Sequence, residues 1–133
     1  MRLTRASSYA LHAVVYMAAQ KKDIPTASHI IAQKRGIPER FLLKVLKPLV
    51  SAQILLSIKG PNGGYRLARP ASDITLLEVI EAVDGPIRGN SPMGHDDPSN
   101  HLNRRLEQVC NQAAEHIRKQ LGKIRISELS SKD

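Results

Sequence analysis

The sequence predicts a mainly α-helical chain with one small β-hairpin and a long amphipathic helix towards its end. Three observations predict this. Two short helical segments meet at Gly36, with Ile37 and Pro38 immediately behind it. A stretch of period-two hydrophobicity follows, broken by Gly60-Pro61-Asn62-Gly63-Gly64. Beyond residue 101, apolar residues recur at three- and four-residue spacing. A period near 3.6 marks helix, a period of 2 marks strand, and Gly/Pro/Asn clusters mark turns.

Taken in order, residues 9–19 form a helix that is apolar nearly all round. Such a helix must be covered on most sides, and a second subunit would help to cover it. Thr26, after Pro25, is expected to cap a helix that turns Ile30, Ile31 and Ala32 inward and stops at Gly36. Pro38 suits the first turn of the next helix, over 38–51, with Phe41, Leu42, Val45, Leu46, Leu49 and Val50 facing the core. Two short helices joined at a glycine make a helix-turn-helix unit. Ile54, Leu56 and Ile58, then Tyr65 and Leu67, alternate as strands of a hairpin. Gly63 and Gly64 are expected to supply positive φ at its tip.

Thr75 and Glu78 have capping-box spacing ahead of Leu76, Val79, Ile80 and Val83, and Gly85 and Pro86 end that helix. Residues 85–100 are a Gly/Pro-rich loop, long enough to suggest a role of its own. Ser99 or Asn100 then caps a long helix. Its apolar stripe is Leu102, Leu106, Val109, Ala113, Ile117 and Leu121, with Arg104, Arg105, Glu107, Arg118 and Lys119 outside the stripe. A stripe of this kind suits contact between subunits. The resulting division is a helix-turn-helix part at 1–84 with its hairpin at 54–70, a loop at 85–100, and a long helix with a tail at 101–133.

Composition narrows the function. The chain has 133 residues, 41% of them hydrophobic, which suits one modest globular domain. The net charge is +8, and its distribution is uneven. Residues 1–70 hold twelve Lys or Arg against two acids, Asp23 and Glu39, whereas 71–133 hold eight bases against ten acids. A polyanion-binding module joined to a near-neutral assembly module has this pattern. No apolar run reaches the ~20 residues needed to span a bilayer, and the N-terminus has no signal-peptide pattern, so the cytosol is the expected location. The single cysteine, Cys110, cannot form an intramolecular disulfide. No nucleophile–histidine–acid set and no dinucleotide fingerprint stands at motif spacing, so an enzyme is not expected. With one Phe, three Tyr and no Trp, stacking platforms for single strands are scarce.

Double-stranded DNA is the polyanion that the helix at 38–51 suits. At about 100° per residue, Arg40, Leu43, Lys44, Lys47 and Ser51 share one arc opposite the core face. Such a face can enter a major groove, where Arg and Lys reach guanine edges and phosphates. Arg40, Lys44 and Lys47 are the candidates for base readout, with Glu39 and Leu43 shaping specificity. Ser28, His29, Lys34, Lys59 and Arg66 are candidates for phosphate contact. The small wing tip, Asn62-Gly63-Gly64, can approach the backbone closely. The alternative is a protein-interaction module that never reads DNA. It would need an apolar patch on this face, and Leu43 alone does not make one. His95, Asp96, Asp97 and His101 are residue types that bind divalent ions, but their spacing matches no ligand pattern and they read as ordinary loop residues.

These strings together resemble the Rrf2 family of winged-helix regulators. The resemblance rests on Met1-Arg2-Leu3-Thr4 with Tyr9-Ala10-Leu11, Gly36-Ile37-Pro38 with Phe41-Leu42, Gly60-Pro61-Asn62-Gly63-Gly64-Tyr65-Arg66-Leu67, Glu78 through Pro86, and Ile124 through Leu129. It implies a winged helix-turn-helix dimer joined through the long helix, with help from the first helix, in which the helix starting at Pro38 reads the major groove and the wing meets the minor groove or backbone. The expected activity is that of a repressor, and the twofold axis of such a dimer predicts a palindromic site. Two departures stand out. Leu43 occupies a position where several members carry an acidic or polar residue. Many members hold an iron–sulfur cluster with three cysteines in the loop and at the start of the long helix, and here 85–100 contains none. A three-cysteine cluster is therefore excluded, and no cofactor is expected. Cys110 reads first as a small apolar residue. Its sharper reading is a sensor: a redox thiol, or an intersubunit ligand opposite His12 of the other subunit. A small-molecule or redox effector is left open.

Overall fold

The structure, a computed structural model, describes residues 1–89 and 101–130. The described elements are α1 (Arg5–Ala18), α2 (Ser28–Arg35), α3 (Glu39–Ser51), β1 (Leu55–Ile58), β2 (Gly64–Leu67), a 3-10 turn (Ala71–Asp73), α4 (Leu76–Asp84), α5 (His101–Gly122) and α6 (Ile126–Leu129). The fold is thus mainly helical with one two-stranded antiparallel hairpin and a long helix near the end, as the periodicities predict.

Helix α1 is the hub. Ala10, Ala13, Val14 and Met17 are buried on it, together with Ile31 of α2, Leu42, Leu46 and Leu49 of α3, Ile54, Leu55, Ile74, Val79 of α4 and Ile126 of α6. Small alanines on α1 let neighbouring helices approach closely. Thr4 caps the helix by accepting from the Ser7 N–H at 3.0 Å. The hydroxyls of Thr4 and Ser7 both donate to the Asp84 carboxylate, at 2.8 Å and 2.5 Å to Oδ2. This satisfies the fully buried Ser7 and ties the start of α1 to the end of α4.

The predicted capping box at Thr75 and Glu78 is present. Arg69 reinforces it, donating to Glu78 Oε2 at 2.7 Å and to the Asp73 carbonyl at 2.7 Å. Burial works to raise the Glu78 carboxyl. Arg69 and the Thr75 backbone and hydroxyl outweigh it and hold the group below the usual carboxylate range.

Two local expectations are corrected. Ala27, not Thr26, occupies the N-cap position of α2, because the Thr26 backbone is engaged with β2. Of the alternation read from Ile54, Leu56 and Ile58, Ile54 is buried and Ile58 half-buried, but Leu56 is exposed and Leu55 is buried in its place. Cross-strand pairing with Leu67 selects Leu55 for the core. Helix α3 also runs through Pro48, whose missing N–H and ring normally cost about 3 kcal/mol inside a helix. Burial of Val45, Leu46 and Leu49 around it offsets that cost.

The segment after α5 returns to the core. The Leu76 N–H donates to the Ile124 carbonyl and the Ile126 N–H to the Ile74 carbonyl, both at 2.9 Å. Ile126 is fully buried. On the other side, Glu81 Oε2 accepts from the Ile87 N–H at 2.8 Å and pairs with Arg118. Gly89 lies directly on the α5 backbone at Cys110 and Asn111, with no room for a Cβ. The beginning of the predicted loop is therefore docked against α5.

Candidate nucleic-acid interface

The turn between α2 and α3 is built by three adjacent residues. Gly36 takes φ +63°, a left-handed conformation that glycine adopts without penalty. Nothing lies near the place of a Cβ there, so the demand for glycine is conformational and not spatial. Ile37 is buried and anchors the turn. The Pro38 carbonyl accepts the first N–H groups of α3, from Phe41 and Leu42, both at 3.0 Å.

Helix α3 separates two faces. Leu42, Val45, Leu46 and Leu49 are buried, while Arg40, Leu43, Lys44 and Lys47 are exposed together on the other side. Phe41 corrects the sequence reading, which placed it in the core. It is 42% exposed, next to Leu43 at 43%. Neighbours on a helix diverge by about 100°, and Leu42 takes the inward direction. The Arg40 guanidinium lies 5.3 Å and the Lys44 ammonium 5.5 Å from the Phe41 ring centroid. Contacts of this kind are worth about 0.5–1 kcal/mol at exposed sites and hold the two cations in place.

On α2, His29 and Lys34 are exposed. Ser28 is not idle: its hydroxyl donates to Glu39 Oε2 at 2.8 Å, fastening the start of α2 to the start of α3. Two residues expected to act separately on DNA are therefore bonded to each other. They stand eleven positions apart, and no local pattern signals the pairing.

The hairpin pairs Leu55 with Leu67 and Ile58 with Gly64. It is fastened to the lead-in of α2 by two backbone bonds. The Thr26 N–H donates to the Tyr65 carbonyl at 2.9 Å and the Tyr65 N–H to the Thr26 carbonyl at 2.8 Å. Lys59 and Asn62 are exposed at the tip. The glycine reading needs revision. Gly60 and Gly64 take positive φ, at +109° and +149°, and Gly63 does not. Gly63 is required for space: a Cβ there would overlap the Ile58 carbonyl. A Cβ on Gly64 would overlap the Thr26 backbone. Arg66, expected to meet phosphate, is turned towards the segment before α2, with Nη1 3.5 Å from Asp23 Oδ1. Nothing local in the sequence pairs Asp23 with Arg66, since forty-three positions separate them.

Cys110 is half-buried on α5. His12 is exposed on α1, with Nδ1 3.4 Å from Arg35 Nη1. Leu102, Leu106 and Val109 of α5 are 65%, 42% and 46% exposed, an apolar stripe that the described residues leave partly open. His101 opens α5, its Nδ1 3.2 Å from Arg104 Nη2, while His95, Asp96 and Asp97 lie outside the described residues. Among the described residues no helix is long and apolar enough to cross a membrane.

The model of the Rrf2 family, described as iron-dependent transcriptional regulators, matches residues 3–132. The chain belongs to the Rrf2 family. The family is one of transcriptional regulators and not of enzymes. The protein named aau3 of Rhizobium meliloti is 40% identical over 84 residues, 63% of this chain and 54% of its own length. The HTH-type transcriptional regulator IscR of Photobacterium profundum is 35% identical over 97 residues, 73% of this chain and 56% of its own. The chain thus spans a little over half the length of these curated relatives. Among solved structures, CymR of B. subtilis, titled the global cysteine regulator, superposes with a TM-score of 0.80. The match covers 100% of this chain and 99% of CymR at 24% identity, and it shows the shared winged-helix fold.

Iron dependence in the Rrf2 family raises the question of donors. Cluster irons are held mainly by thiolates. This chain offers one, on Cys110, and no group of three or more His, Cys, Asp or Glu able to hold a metal occurs among the described residues. The residues of this Rrf2 chain do not fit a cluster held by three cysteines.

Proposed function

We propose that the protein is a homodimeric regulator that binds a palindromic DNA site in a sequence-specific manner and represses transcription there. One observation carries the reading: α3 presents Arg40, Lys44 and Lys47 on an exposed face beside the hairpin, with its apolar face spent on the core. In this reading Arg40, Lys44 and Lys47 reach base edges, Leu43 offers a methyl-sized apolar contact, and Glu39 disfavours or selects bases through its acceptor oxygens. Ser28, His29, Lys34, Lys59 and Arg66 meet phosphates. Arg66 must leave Asp23 to do so. The tip at Asn62-Gly63-Gly64 lies along the backbone. Residues 1–84 form the DNA-binding part, with 54–70 as wing, and α5 is the dimerisation helix within 101–133.

The exposed stripe of Leu102, Leu106 and Val109 supports a dimer through α5. The protein works in the cytosol and without a cofactor, with Cys110 as a small apolar side chain. Protein purified without oxygen is then colourless and iron-free. An iron–sulfur absorbance that vanishes in Cys110→Ala would refute this.

The test of the main reading is selection of bound duplexes from a random library, followed by footprinting. The expected result is two symmetric half-sites with centres about 10 bp apart, or a multiple of that spacing. Binding with no preference over bulk DNA would refute sequence reading, and an asymmetric footprint would refute the dimer. The exposed pair Phe41 and Leu43 favours a second reading, in which α3 docks on a protein. Absence of any duplex binding at low salt would select it.

A further inference from the structure

A pocket of about 400 Å³ lies between the end of α1, residues 20–26, and the stretch from β2 to the 3-10 turn. Its size falls within the range of small-molecule sites. Met17, Leu67 and Ala68 give it apolar wall, and Lys21, Lys22 and Arg66 bring cations. The charges there do not balance. Asp23 is matched by Arg66 at 3.5 Å, and Glu78 by Arg69, which also lines the pocket, at 2.7 Å. Neither Lys21 nor Lys22 has an ion-pair partner among the described residues. The turn carrying them is held by Asp23 at φ +67°, a left-handed conformation that aspartate tolerates better than most residues. A concave, partly apolar surface bordered by two exposed lysines with no ion-pair partner among the described residues complements a ligand that is apolar at one end and anionic at the other.

We propose that this pocket binds a small organic carboxylate with an apolar body. The carboxylate meets Lys21 and Lys22, and the body rests on Met17 and Leu67. Inorganic phosphate shares the charge but lacks the apolar body, so it binds more weakly. The occupant touches the hairpin at Tyr65 and Arg66 and the lead-in of α2 at Thr26, which are the parts that fix the wing against the helix pair. A ligand that contacts both can bias their relative position, and so link its own binding to that of a duplex. The proposal goes beyond the DNA-binding reading and does not require it.

Titration calorimetry of the full chain without DNA tests it. The probes are phenylacetate, 4-phenylbutyrate and octanoate, with 4-phenylbutyramide and inorganic phosphate as controls. The expected result is one site per chain for at least one carboxylate, with a Kd below about 1 mM. The amide and phosphate should bind at least about tenfold more weakly, and Lys21→Ala with Lys22→Ala should cost a similar factor while the helical circular dichroism is retained. The proposal is overturned if no carboxylate saturates below about 10 mM, if the amide or phosphate binds as well, or if the double variant binds undiminished. A double variant that instead loses duplex affinity without ligand would assign both lysines to DNA, and this too overturns the proposal.

Discussion

Alanine substitution at the three glycines of the hairpin should produce three different outcomes, because each glycine is required for a different reason. At Gly64 both demands coincide. The residue takes φ +149°, and a Cβ would overlap the Thr26 backbone. Holding a non-glycine residue in a sparsely populated region costs about 1–3 kcal/mol. The overlap also forces Thr26 and Tyr65 apart, breaking two hydrogen bonds worth about 1 kcal/mol each. The sum for Gly64→Ala is about 3–5 kcal/mol. Gly60→Ala meets open space and carries only the backbone cost of φ +109°, about 1–3 kcal/mol. Gly63→Ala needs no unusual φ and costs what is needed to shift the Ile58 carbonyl. Urea denaturation at one fixed protein concentration reads the order. With a slope of about 2 kcal/mol per molar, Gly64→Ala moves the midpoint down by about 2 M and Gly60→Ala by about 1 M. A Gly64→Ala midpoint within about 0.3 M of wild type would refute the claim that the wing is braced through Thr26.

Other expectations follow from the same geometry. Because Glu78 is held below its ordinary value near 4.5, its contribution is complete above that pH and fades as pH falls through the lower folded value. The acid limb of a stability–pH curve should therefore be shallower in Glu78→Gln, and an unchanged limb would remove Glu78 from the account. Leu106→Lys leaves the isolated chain intact, since the side chain is already 42% exposed, yet places charge in the middle of the α5 stripe. If α5 joins two chains as proposed, sedimentation should show a shift towards monomer relative to wild type at equal concentration, and an unchanged mass would remove the stripe from the interface. Lys59→Ala should weaken binding to all duplexes alike and lower the salt slope by about one unit. Asp23→Asn releases Arg66 and should strengthen binding at low salt, whereas no change would argue that Arg66 never reaches DNA.

What could be read in advance was local. Thr75 and Glu78 are three residues apart and Gly36 is followed at once by Ile37-Pro38, so both helix boundaries were visible in a short window. The separation of α3 into two faces follows from its period alone. Ile54-Leu55-Leu56 is a run of three apolar residues, so alternation alone does not single out Leu56 as the exposed one; the strand begins at Leu55, which pairs with Leu67. Phe41 shares the four-residue recurrence of Val45 and Leu49 and so reads as core, yet it lies at the edge of that face, where its neighbours are the two cations beside it. The ties between Ser28 and Glu39, Arg66 and Asp23, and Asp84 and Thr4 carry no sequence signal, since each joins polar residues far apart along the chain.

The return of the chain after α5 bears on how the molecule comes apart and reassembles. Ile74 and Ile126 are joined by a backbone bond across an intervening stretch that includes α4 and the whole of α5. Closing so long a loop is slow relative to helix formation, because its entropy must be lost before the contact repays it. The seam at Ile74, Ile124 and Ile126 is therefore a late step in folding and an early one in local opening. Amide hydrogens of Leu76 and Ile126 should exchange with solvent as a pair, ahead of those in the middle of α1. A molecule opened at this seam would still hold its helix pair, and α5 would then stay tied to α4 through Arg118 and Glu81, so a second, separate opening is needed before the long helix can leave the core.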